Sequence, residues 1–458
     1  MTTSPSPNDT LAAAEQPHLR RLLTIKDLVF FGIVLIQPIA PVGIFGLAQE
    51  KSHGHVAATI IIGMVAMMLT AFSFGRMAAL YPSAGSAYTY VSRGLGARLG
   101  FVAGWSMSLG YLIIPLVNTA YCALTLERVF PGVPYAVWAV LFVVLITTLN
   151  LRRISATAHT NTVLLAVMTV VIVGYVGLAI KYLIQTGGWG GLLSYEPFYT
   201  PGKFELRAIG TATSVAALTY IGFDGVTTLA EEVHEPKRSV PIAVVLVCFL
   251  TGVFSTIEVY LAQLVWPDYT TFTNSETAFL DVTHRIGGPW LFQAMGWVLV
   301  VACLGTGLTG QAGAARLLYG MGRENVLPRA FFGHLSPSTR IPNFNVILIA
   351  VLTLAAIPFV DFELAATVLV FGAFVAFMGV NLAAIRENFF RRRNGQPKIV
   401  RDLVVPGLGF LICLAIWLSL PTPAKIGGGA WLILGLLFDG IKSRGFRVHP
   451  VQIDFSET

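Results

Sequence analysis

Twelve stretches of continuous apolar sequence run along the chain, at about 28–48, 56–76, 99–126, 134–150, 159–184, 208–232, 239–265, 289–318, 343–360, 363–386, 403–420 and 427–441. A helix needs roughly 20 apolar residues to cross the hydrocarbon of a bilayer, and most of these stretches come close to that length. They are apolar without interruption, whereas strands of a membrane barrel alternate at period two over about ten residues. The pattern predicts an all-α integral membrane protein with about 12 transmembrane helices. No polar stretch is long enough for a second domain. The expected organisation is a tail over 1–17, ten core helices over 18–400, helices 11 and 12 over 401–445, and a second tail over 446–458.

Composition agrees, since 55% hydrophobic residues, 12% charged residues and a mean hydropathy of +0.73 exclude a water-soluble fold with a charged exterior. Met1 to Pro17 are small and polar with three prolines and read as a disordered tail. They lack the basic and apolar regions of a cleavable signal, so the first apolar stretch is expected to remain as a span. Cys122, Cys248, Cys303 and Cys413 fall one per span, which suggests neither a disulfide framework nor a metal site.

Basic residues are lopsided across the alternating connections. With the amino terminus inside, 23 of the 30 Lys and Arg residues fall on the inner side and 7 on the outer. The positive-inside rule then places both termini in the cytoplasm of a cell whose inner (plasma) membrane holds the chain. The same bias accounts for the net charge of +7 without nucleic acid as a partner. The run Arg391-Arg392-Arg393 just beyond a span is expected to meet anionic headgroups.

Two spans break their own helix. Span 1 contains Gln37-Pro38-Ile39-Ala40-Pro41-Val42-Gly43-Ile44-Phe45-Gly46, with two prolines and two glycines mid-membrane, and span 6 contains Tyr220-Ile221-Gly222-Phe223-Asp224-Gly225. A kink or close helix packing would explain either one alone. Together they lie five spans apart, the spacing that inverted five-helix repeats produce when paired discontinuous helices hold a ligand near the midplane. Exposed amide ends would face anionic groups, and exposed carbonyl ends would face cations.

Four motifs in order carry a resemblance to the amino acid/polyamine/organocation (APC) transporters. They are Pro82-Ser83-Ala84-Gly85-Ser86-Ala87-Tyr88-Thr89-Tyr90 followed by Gly100-Phe101-Val102-Ala103-Gly104-Trp105; Gly222-Phe223-Asp224 leading to Glu231-Glu232-Val233-His234-Glu235-Pro236; Arg316 to Pro328 at the end of span 8; and Pro342-Asn343-Phe344-Asn345-Val346. Within that family the chain is most similar to bacterial putrescine importers, especially across residues 222–232. The resemblance implies a leucine-transporter-type 5+5 inverted repeat with helices 1 and 6 broken. It also implies a secondary active importer of an amine or amino acid, working by alternating access, with protons as the coupling ion and no cofactor. A putrescine-like polyamine is one substrate reading and amino acid uptake or exchange is the other.

On these grounds the expected substrate residues are Asp224, Phe223, Gly222, Tyr220, Ala40, Pro41, Gly43 and Tyr111. Asp224 would supply the carboxylate for an amine, and Phe223 and Tyr220 would supply aromatic faces. Glu231, seven residues beyond Asp224 and so on the same face of an α-helix, would serve as proton relay or gate together with Asp224. The chain departs from the family in two places. Ala40-Pro41-Val42-Gly43 stands where amino acid carriers show a Gly-Ser-Gly-like stretch, and Gly110 precedes Tyr111 where putrescine importers carry Asp. Leu164 to Ile180 holds no basic residue, so the span 5 lysine of some relatives has no counterpart.

Gly305-Thr306-Gly307-Leu308-Thr309-Gly310 fits a dinucleotide-loop pattern, but it lies inside an apolar span and reads as helix packing. The intramembrane acids have no His or Cys partner in a recognisable catalytic pattern, so the chain does not read as an enzyme. A passive channel is the remaining alternative, and it would show neither saturation nor counterflow.

Overall fold

A computed structural model describes residues 23–82, 86–152, 158–323, 327–337, 339–392 and 395–443. The two tails, Ser83-Ala84-Gly85, residues 324–326 and Arg393 lie outside the described residues, as does the side chain of Glu231.

The helices in chain order are α1 Ile25–Ile36, α2 Phe45–Lys51, α3 Val56–Leu80, α4 Ser86–Leu95, α5 Ala97–Val129, α6 Tyr135–Leu151, α7 Ala158–Gly187 and α8 Leu206–Ala216. They continue as α9 Pro236–Val265, α10 Ala278–Arg323, α11 Arg329–Phe332, α12 Asn343–Ala356, α13 Phe362–Ile385, α14 Val405–Leu418 and α15 Thr422–Lys442. Among the described residues, eight helices are long and apolar enough to cross a membrane, and α6 and α12 are shorter apolar helices. The two broken segments, α1 with α2 and α8 with the stretch after it, complete the twelve expected spans.

Contacts between distant residues fix which ends share a side. Leu23 bonds Glu232 and His234, Arg76 pairs with Asp402, and Arg386 donates to the Gly94 carbonyl, all on what we call the terminal side. On the opposite side Lys51 pairs with Glu363, Arg128 with Asp281, and Gln49 donates to the carbonyls of Trp266 and Pro267. Twelve alternating crossings satisfy all of these contacts.

The most extensive helix packing joins α3 to α9 and α5 to α10, while α6 packs on α12. Counted by span these are 2 with 7, 3 with 8 and 4 with 9. Each of these helices thus meets the one five places on, the pairing that two five-helix repeats produce. Lipid offers no hydrophobic drive for such association, so small residues that let backbones approach carry it. Gly75 lies against Pro241, Gly252 against Met64, Gly307 against Phe142 and Gly310 against Ile114. The glycine run in span 8 is therefore a packing surface, as expected.

Several boundaries differ from expectation for local reasons. Span 12 starts at Thr422, five residues before its expected start, because Lys425 and Gly427-Gly428-Gly429 dilute hydropathy in a segment that packs closely, with Gly428 on Phe371 and Gly435 on Trp105. Span 9 stops at Ala356, two residues before Pro358. A kink at Gly288 (φ 66, ψ −161), just before Pro289, divides α10 into a short outer segment and span 8 proper. Ser86 to Leu95 forms α4, lying against α5 and α13, where only a connection was expected.

One buried charge network ties spans 2, 10 and 11 on the terminal side. Arg76 binds both Asp402 and Asn388, and Asp402, 2% exposed, also accepts from Lys398 N at 2.8 Å and Arg401 Nε at 3.1 Å. Buried Glu387 accepts from Tyr81 Oη at 2.9 Å and from Arg391 at 2.6 Å. Arg391, whose side chain keeps partial exposure, is thus held by a carboxylate. Removing one partner of such a pair strands the other charge, so Asp402→Ala is expected to destabilise the protein by about 3 kcal/mol, read as a lowered Tm in detergent. Asp402→Asn, which keeps the volume and one acceptor oxygen, should lose less.

Candidate substrate site at the two helix breaks

Span 1 comes apart because its sequence removes helix donors on adjacent turns. Pro38 and Pro41 have no N–H, and Gln37 takes φ 64, ψ 131, a positive φ that reverses the chain direction. The strand of backbone that follows is a single 3-10 turn, Ala40–Gly43, before α2 begins at Phe45. Span 6 ends its first half with the turn Ala217–Tyr220. It extends at Ile221, turns at Gly222 (φ 118, ψ −15), and resumes as a 3-10 helix over Phe223–Glu232. That positive φ costs a non-glycine residue about 1–2 kcal/mol, which is why glycine stands there.

The breaks face one another. Ala40–Gly43 packs against Ala217–Tyr220, α1 packs with Phe223–Glu232 on the terminal side, and α2 packs with α8 on the opposite side. Carbonyl ends of α1 and α8 thus converge with amide ends of α2 and the Phe223 segment, leaving partial negative and partial positive charge side by side. Gln37, Pro38, Ala40, Ile221, Gly222, Asp224 and Gly225 keep partial accessibility although they lie inside the bundle, so open space adjoins them.

Asp224 occupies the first turn of the Phe223 segment, near the backbone of Gly222 and Gly225. Among the described residues no Lys or Arg forms an ion pair with it. Its backbone carbonyl accepts from Thr227 Oγ1 at 2.7 Å, and Thr228 Oγ1 donates to the Gly225 carbonyl at 2.7 Å, which stiffens the segment. The carboxylate lies at the start of a helical segment without a side-chain capping hydrogen bond.

The aromatic expectations fare differently. The ring of Phe223 is fully buried, edge-on to Phe74 at 5.3 Å and 5.0 Å from Phe377, so its faces are covered by core rings. Tyr220 is also fully buried, and its hydroxyl donates to the Ile60 carbonyl of α3 at 2.8 Å. Tyr111 is 36% exposed beside Gly313 of α10. Pro41 and Gly43 are buried within the first break, and Ala40 is partly accessible there.

The side chain of Glu231 lies outside the described residues, and the segment that carries it, Phe223–Glu232, is a 3-10 helix with 3.0 residues per turn.

Two tyrosines that the sequence reading left unassigned lie at the breaks. Tyr121 of α5 covers the first, since a Cβ on Gly43 would come within 3.0 Å of its ring, and it stacks obliquely on Phe362 at 4.9 Å. Tyr90, the last residue of the first motif, lies buried against Phe74 and close to Thr227 and Asp224. Sequence gave one signal, the lack of any side chain at Gly43.

Paired broken helices inside a polytopic all-α domain define a membrane carrier of the discontinuous-helix class. Residues 39–422 match the amino acid permease family, and the chain belongs to it. It is 32% identical over 439 residues to the low-affinity putrescine importer PlaP of Escherichia coli (strain K12), covering 95% of this chain and 96% of that one. It is 29% identical over 395 residues to the vacuolar cationic amino acid transporter 4 of Arabidopsis thaliana, covering 81% of this chain and 64% of that one. The branched-chain amino acid permease BcaP of Lactococcus lactis subsp. cremoris (strain MG1363) is 24% identical over 456 residues, covering 92% and 94%.

Gly222→Ala should lower Tm in detergent by the strain of about 1–2 kcal/mol and reduce uptake at equal membrane content. Gly110→Ala, a helical position with nothing within 4 Å of the added Cβ, is the control and should leave Tm unchanged or slightly raised.

Proposed function

We propose that the protein imports a small organic amine, of putrescine-like polyamine type, by alternating access around the two breaks. The observation that carries this is Asp224: a carboxylate in the interior of the bundle, without a Lys or Arg counter-charge among the described residues, where the carbonyl ends of α1 and α8 converge. An ammonium group would supply the missing positive charge, and the similarity to a putrescine importer supports the same chemistry. A second reading, amino acid transport, is favoured by the amide ends of α2 and the Phe223 segment, which suit a carboxylate, and by the amino acid carriers among the relatives.

The inner membrane of a bacterium, with both termini in the cytoplasm, is the setting this reading assigns, on the strength of the basic-residue bias. Protons are the coupling ion it assigns. The deciding experiment is uptake by proteoliposomes of labelled polyamines and amino acids, with and without an imposed pH gradient. Saturable uptake with counterflow is expected, strongest for diamines, and a non-saturating flux would point to a pore. Asp224→Asn is expected to reduce amine uptake on the order of a hundredfold, as loss of one partner of a desolvated charge pair does, while the protein still reaches the membrane. Unchanged uptake kinetics in that variant would remove the amine from Asp224.

A further inference from the structure

Glu258 lies in the opposite-side half of α9, seven residues before the helix ends at Val265. It is 2% exposed, and neither of its carboxyl oxygens has a hydrogen-bond partner among the described residues. The bond made at this position belongs to its backbone: Tyr175 Oη of α7 donates to the Glu258 carbonyl at 3.1 Å. An ionised carboxylate without partners in an apolar interior is so costly that the group neutralises instead, and for a carboxyl that means holding a proton.

Among the described residues no cation pairs with Glu258 to replace that proton. On α7, Tyr175 reaches Glu258 while Lys181 is exposed, and α1 and α3 bring charges only at their terminal-side ends, in Lys26, Asp27 and Arg76. From α10, Asp281 is held by Arg128, His284 is exposed, and Arg285 lies over the Trp266 ring at the outer end of α9. The break contributes Tyr220 and Asp224.

Toward the break, α9 carries Cys248, Thr251, Ser255 and Glu258 on one buried face at helical spacing. Cys248 lies close enough to Asp224 and Tyr220 to interact with both electrostatically. At 1.5 Å per residue Glu258 stands about 15 Å along the helix from Cys248, with two hydroxyl groups between.

We propose that Glu258 is a proton-binding site coupled to the substrate site at the breaks, an inference that rests on the carrier function argued above. Glu258 takes a proton from the opposite side of the membrane and holds it while that side is open. On release the carboxyl becomes a carboxylate, and Tyr175 Oη, a single donor already alongside, turns from the backbone carbonyl to the charged oxygen. The Ser255 and Thr251 hydroxyls link this event to the neighbourhood of Asp224.

Glu258→Gln fixes the neutral form in the same volume. In proteoliposomes with labelled putrescine, the variant is expected to keep counterflow at equal pH within about twofold of wild type and to lose the acceleration given by an inward proton gradient. Gradient acceleration unchanged in Glu258→Gln would overturn the proposal, and so would wild-type uptake that is indifferent to the gradient. Wild type that moves no amine or amino acid at all would instead sink the carrier reading itself. A second measurement needs no variant: dicyclohexylcarbodiimide, which reacts with protonated carboxyls in apolar surroundings, should label Glu258 of the wild type, detected by peptide mass spectrometry. Labelling should fall as pH rises, and a Glu258 left unlabelled at every pH would refute the assignment.

Discussion

A backbone N–H or C=O left without a partner in hydrocarbon costs several kcal/mol, and this constraint shapes the whole molecule. A helix that stops halfway across the bilayer cannot stand alone. Its loose ends need protein, water or cargo beside them. The chain meets the constraint by setting two such helices against each other and surrounding them with α3, α5, α9 and α13. The pairing of helices five places apart then follows from the same arrangement, because one half of the bundle supplies the partner for the other.

Much of this was legible in the residues. Continuous apolarity located the spans, prolines with glycines located the first break and the two glycines around Asp224 the second, because each of those residues acts on the backbone directly. The glycine run of span 12 misplaced a boundary, since hydropathy records side chains and not how closely a backbone packs. What lay at the breaks was less legible. Tyr121 faces Gly43 from 78 residues away, and Tyr90 reaches Thr227 and Asp224 from a different span. Only the fold brings them together. Phe223 shows the converse: adjacency in sequence to Asp224 suggested a shared site, but the turn at Gly222 sends its ring into the cluster of Phe74 and Phe377.

The 3-10 winding of Phe223–Glu232 has a similar lesson. Nothing in its composition separates it from an α-helix, and the face relations of its residues change with the winding. Gly222 held the clue, because a positive φ at the start of a segment marks a backbone no longer following the preceding helix.

Alternating access asks that neither side of the bundle be closed too firmly, and the contacts on the two sides bear on that. On the terminal side the chain just before α1 is tied to the end of the Phe223 segment by two backbone hydrogen bonds, Leu23 N to Glu232 O at 3.0 Å and His234 N to Leu23 O at 3.2 Å. On the opposite side α2 is tied to its neighbours by the Lys51–Glu363 ion pair, partly exposed on both partners, and by Gln49 to the carbonyls of Trp266 and Pro267. Neutral hydrogen bonds contribute about 1 kcal/mol each net, and exposed ion pairs about 0–1 kcal/mol. These polar ties of the two broken segments therefore contribute only a few kcal/mol on each side, comparable to the gap at which the less favoured conformation of a two-state protein stays populated at about 0.1–10%. On the reading proposed above, a ligand charge at Asp224 or a proton at Glu258 would act on a scale of similar size, large enough to shift which side opens.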